Sequence, residues 1–121
     1  MRNRYQELSK EDRKIVRELI DKGMTEEFKR GMENFDSLLQ QWRSNPGDHR
    51  EHYANLYGTI RDFNKHIAWQ YDNMKGSHIV SVLEYQLSND VLELSVLDVL
   101  STEVKNELLE TVKRRKSYDS E

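Results

Sequence analysis

Apolar residues recur at helical spacing along most of the chain. Ser9-Lys10-Glu11-Asp12 is a Ser-x-x-acid start, in which the serine oxygen can accept an otherwise unpaired helix N–H. Ile15, Val16, Leu19 and Ile20 then share one face, and Gly23 reads as a left-handed stop. Thr25 opens a second predicted helix, with Glu26 and Glu27 placed well for the positive end of its dipole. Its apolar residues Phe28, Met32, Phe35, Leu39 and Trp42 are spaced 4-3-4-3, which keeps one seam facing a neighbouring helix.

Ser44-Asn45-Pro46-Gly47 breaks the pattern, and Asp48-x-x-Glu51 supplies the next capping pair. From there a third helix is predicted to run to about Lys75, ended by Gly76. Tyr53, Ile60, Ile67 and Met74 fall seven residues apart, with Leu56 and Phe63 in the companion positions. Residues 77–100 fit two templates. HIVSVLEYQL and VLELSVLDVL read either as two strands around Ser88-Asn89-Asp90 or as helix. Helix is favoured, because a lone hairpin is weak by itself and the flanking elements are helical. Ser95-x-x-Asp98 repeats the capping pattern. Ser101 or Thr102 starts a last helix carrying Val104, Leu108, Leu109 and Val112, with its final few residues frayed.

These elements predict an all-α fold in a single helical domain, residues 1–121. Two long helices, at about 26–43 and 49–75, form an antiparallel pair, closed by a short N-terminal helix and a C-terminal helical subdomain. Composition agrees. Leu, Ile, Val and Phe number 29 of 121 residues, enough for a lean core despite 34% charged residues. The chain has no cysteine, so disulfide and thiolate chemistry are absent, which suits a reducing compartment. Its longest apolar run, Ile67-Ala68-Trp69, is too short for a bilayer span or a signal-peptide core, so a cytoplasmic protein without membrane contact is expected.

Candidate chemistry is sparse. His49 and His52 are three apart and Asp62 and His66 four apart, so each pair shares a helix face. A carboxylate-bridged metal bundle needs Glu-x-x-His on two helices, and this chain has none. No metal and no cofactor are expected, and Asp62 with His66 reads as an ion pair on a solvated face. There is no nucleophile elbow, no His-Glu-x-x-His and no phosphate-binding glycine loop, so an enzyme is not expected.

Nucleic acid is the less favoured partner. KIVRELIDKGMTEEFKRGM resembles a helix-turn-helix in outline, but with Gly23 at the turn the inward positions would include Glu18, Lys22 and Lys29. The basic tail Lys113-Arg114-Arg115-Lys116 is short, and no broad basic stripe runs through the chain, whose net charge is −3.

The segment 76–104 has no Lys or Arg, and from Val91 to Leu100 seven of ten residues are apolar. They occupy more than one helical face, whereas a surface helix buries one stripe. Either the segment is a central element or one face completes a dimer or receives a partner. Val91, Leu94 and Leu97 are the expected partner-binding apolar residues, and Glu93 and Asp98, with Glu84, would favour a basic rim opposite. The expected function is therefore non-catalytic: binding another protein, as a regulator or inhibitor, with a homodimer as one form of that association. The alternative is a nucleic-acid-binding regulator using the first two helices or the basic tail.

Overall fold

The computed structural model describes residues 3–72 and 74–119. The fold is all-α: α1 Lys10–Ser44, α2 His49–Tyr71, α3 His78–Ser88, a 3-10 segment Leu94–Val99, and α4 Thr102–Asp119. Residues 3–26 with 74–119 make one compact unit and residues 27–72 another. The fraying expected at the C-terminus falls on residues that lie partly outside the described ones.

Helix α1 starts where the capping signal places it, since Ser9 Oγ accepts the Asp12 N–H at 3.0 Å. It does not stop at Gly23. Thr25, read as a new start, instead turns its hydroxyl back onto Asp21 O at 3.1 Å, as mid-helix threonines do. The glycine serves close approach rather than a turn. A Cβ there would lie 2.3 Å from Gln86 Nε2, and that buried amide donates to Ile20 O at 2.9 Å. The first two predicted helices are therefore one helix of 35 residues.

Most of the core lies in the first unit. Val16 and Ile20 of α1, Leu83 and Leu87 of α3, and Leu108 and Val112 of α4 are almost wholly buried. Three polar ties cross this core. Asp12 accepts from the Ser101 backbone N–H at 3.1 Å and from Ser101 Oγ at 2.6 Å. The buried carboxylate of Glu84 takes Arg4 in fork geometry, at 3.1 and 2.7 Å, with Arg115 at 3.6 Å. The third is the Gln86 amide already described. A charge as deeply buried as Glu84 requires such pairing, and the hydrogen bond to Glu84 holds the Arg4 guanidinium above its ordinary pKa.

Helix α3 forms as the pattern predicts, and a Schellman motif closes it. Asp90 takes a left-handed φ of 58°, Val91 N–H donates to Gln86 O at 2.8 Å and Asp90 N–H to Leu87 O at 3.3 Å. The residues that follow are not α-helical. Between this stop and α4 lies the 3-10 segment, which contains both Ser95 and Asp98, so neither stands before a helix start and they form no capping pair.

The second unit is a helical hairpin. Asp48 caps α2, accepting from Arg50 N–H at 2.9 Å and Glu51 N–H at 3.4 Å. Residues 27–44 of α1 pair with α2 in antiparallel order: Glu27 meets His66 and Tyr71, Phe28 and Phe35 meet Phe63, and Trp42 meets His49. Helix α2 ends at Tyr71, so Met74 falls outside the seven-residue register. Contact with α1 passes instead through the companion positions Leu56 and Phe63, which leaves Tyr53 exposed.

Candidate partner-binding surface

The apolar segment 91–100 divides between core and surface. Val91 and Leu97 are buried, Leu97 completely. Leu94 is 40% exposed, and Glu93 and Asp98 are exposed, with Asp98 paired to Lys105 at 2.7 Å. Glu84, expected on an acidic rim, faces inward and is paired. What remains outside is Leu94 and Val99, and isolated apolar side chains on a surface are ordinary.

The hairpin presents a different situation. Its centre is the Phe63 ring, edge-on to Phe28 at 5.6 Å and to Phe35 at 5.5 Å. The ring rests over Gly31, where a Cβ would approach it to 2.6 Å. Edge-to-face pairs of this kind add about 0.5–1.5 kcal/mol each beyond area burial. At one end Trp42 Nε1 donates to His49 Nδ1 at 3.0 Å, and His52 Nε2 bonds Asn45 O at 3.0 Å. At the other, buried Glu27 bonds His66 Nε2 at 2.7 Å and accepts from the Tyr71 hydroxyl. The expected pairing of Asp62 with His66 does not form. His66 turns across the seam to Glu27, and Asp62 stays exposed beside Arg61 at 3.6 Å.

Despite these clasps, Tyr71 is the one large apolar side chain of residues 27–72 that is buried. Phe28, Met32, Leu39, Trp42, Tyr53, Tyr57 and Trp69 are exposed, Met32, Tyr53, Tyr57 and Trp69 by more than half, at 65%, 68%, 56% and 76%. Trp69 lies on the opposite side of α2 from Tyr53. Helix geometry explains the division. Gly31 and Leu38 turn toward α2, whereas Met32 and Leu39 are one residue on and rotated by about 100°. On α2, His52 and Leu56 face α1, and Tyr53 and Tyr57 are again one residue on. Because the two helices run in opposite directions, the same sense of rotation brings both strips to the same side of the hairpin. Leu39 and Trp42 of α1 and Tyr53 and Leu56 of α2 accordingly line one open groove of about 240 Å³. Tyr53 and Tyr57 stack within this face, with centroids 6.3 Å apart and planes 22° apart.

The strip itself carries no charge. Along its outer edge on α1, Lys29 pairs with Glu33 and Asp36 with Arg43, both at 3.9 Å. The 4-3-4-3 spacing signalled this stripe, but its centre is turned away from α2, because Gly31 and Leu38 rather than Met32 and Leu39 face that helix.

Among the described residues, no three His, Cys, Asp or Glu side chains are grouped to hold a metal ion. In the basic tail Arg115 reaches Glu84 and Lys116 reaches Asp90 at 2.8 Å, so two of its four cations are held internally. Among the described residues no helix is long and apolar enough to cross a membrane. Compared with protein-family models, with curated proteins and with solved structures, the chain finds no match.

Proposed function

We propose that this protein acts without catalysis, by binding another protein through the open face of its helical hairpin, as a regulator or inhibitor does by occupying a surface. The observation that carries this reading is the uncharged strip of Phe28, Met32, Leu39, Tyr53 and Tyr57, all accessible on one side of two helices. Left in water, such area costs roughly 25 cal/mol per Å². Aromatic residues and methionine are also the types enriched where proteins meet. Leu94, with Glu93 and Asp98 beside it, is a smaller second contact; Val91 and Leu97 support it from the core. A cytoplasmic setting suits the absence of cysteine. Nucleic-acid binding by the tail has weaker support, given the internal pairs of Arg115 and Lys116.

The test is quantitative affinity capture with the intact chain against Met32→Glu, Tyr57→Glu and Val99→Lys. All three positions are exposed, so each variant should keep its helical circular dichroism. Partner recovery should fall at least tenfold for the first two and hold for the third. Equal recovery by all three would mean that the hairpin face is not the binding surface.

A further inference from the structure

We propose that the occupant of the hairpin face is a second copy of this chain, two hairpins closing face to face into a four-helix bundle. The proposal rests on the reading of that face as a protein-binding surface and names what covers it.

Three observations point to self-association. The first is the core that the hairpin lacks. Residues 27–44 and 49–71 carry apolar positions at bundle spacing on both helices, yet two helices side by side can cover only the inner part of each stripe. A second hairpin of the same lengths and the same spacing supplies the missing layer, with every helix antiparallel to its neighbours.

The second is area. With aromatic side chains at about 150–250 Å² each, the accessible parts of Phe28, Met32, Leu39, Trp42, Tyr53 and Tyr57 amount to roughly 600–700 Å². That exceeds the largest apolar patch of a typical monomer, about 300–600 Å². With the half-buried flanks of Phe35 and Ile60 added, it reaches about the 800 Å² per partner of a standard stable interface.

The third is charge. A surface that meets its own copy cannot carry a strong field of one sign, because a two-fold axis sets the patch against itself. Here the strip is uncharged, and the α1 edge is neutralised within its own helix by Lys29–Glu33 and Asp36–Arg43.

Sedimentation equilibrium of the full chain from about 1 to 100 μM is the direct measurement, with micromolar dissociation as the scale. The 14.5 kDa chain should rise to twice that mass across the range. Met32→Glu and Tyr53→Glu, each at a position more than half exposed, should stay at one-chain mass with unchanged helical circular dichroism. Hydrogen exchange on the unmodified chain gives a second readout that needs no variant. Amides of 28–42 and 53–60 should slow as concentration rises, and those around 94–99 should not. A wild-type chain at single mass throughout overturns the second-copy proposal, and the wider reading then depends on the capture experiment alone. A dimer that both variants leave intact, or added protection confined to 94–99, overturns it as well.

Discussion

Gly23 and Gly58 both lie inside helices, and their surroundings set opposite expectations. At Gly23 a methyl group would enter the space of the Gln86 amide, which is buried and bonded to Ile20 O. Moving that amide breaks its bond and overfills the core, so Gly23→Ala should destabilise by about 1–3 kcal/mol. At Gly58 nothing lies within 4 Å of the added atom, and mid-helix glycine is less favourable than alanine. Gly58→Ala should therefore stabilise the helix by about 0.5–1 kcal/mol. Urea denaturation of the two variants checks both signs; a matching sign would mean that the Gln86 notch is absent. Local chemistry of this kind was partly visible beforehand. Ser9 and Asp48 cap as their spacing predicts, because a cap depends on neighbours three residues away. The use of Gly23 was not, because its partner is 63 residues on, at Gln86.

Among the elements, the hairpin depends most on a single ring. Phe63 contacts Phe28 and Phe35 and fills the notch at Gly31. Full burial of a phenylalanine makes its loss to alanine worth about 3–5 kcal/mol, but this ring is only half-buried in the isolated chain, so about 2–3 kcal/mol is expected for Phe63→Ala. Hydrogen exchange in α2 is the suitable readout, since it reports opening of the hairpin separately from the rest of the chain. Protection unchanged in α2 would mean that the aromatic cluster is not what holds the pair together. The element pattern was legible in the apolar spacing of 28–42 and 53–67, and the antiparallel pairing followed from the short break at Pro46. The end of α2 at Tyr71 and the 3-10 path of Leu94–Val99 were not legible. Both depend on where the chain must turn to reach the next packed element.

At the scale of the whole chain, Asp12 joins the start of α1 to the residue before α4. Burial by itself would raise its carboxyl pKa, but the bonds from Ser101 Oγ, the Ser101 N–H and Ser9 outweigh that and hold it below its ordinary value. A depressed folded value stabilises the native state fully above the unfolded pKa of about 3.9. The contribution disappears as pH falls through the lower folded value. Acid titration should thus lower stability below about pH 4, and Asp12→Asn should lose stability at neutral pH while flattening that acid limb. An unchanged acid limb in the variant would place the sensitivity in other carboxylates.

The periodicity of apolar residues was by itself enough to determine helix over most of 10–71 with capped starts at Ser9 and Asp48, since helix formation and capping act over three or four residues. Residues 77–100 fitted strand or helix by pattern alone. Which apolar surplus faces outward was decided only by the tertiary structure. Val91 and Leu97, in the richer segment by composition, are buried, whereas Met32, Tyr53 and Tyr57 stay more than half exposed. The physical reason is that burial depends on how many neighbours surround a stripe. A periodic sequence shows that a stripe exists and how wide it is, but only packing shows how much of that width another element covers.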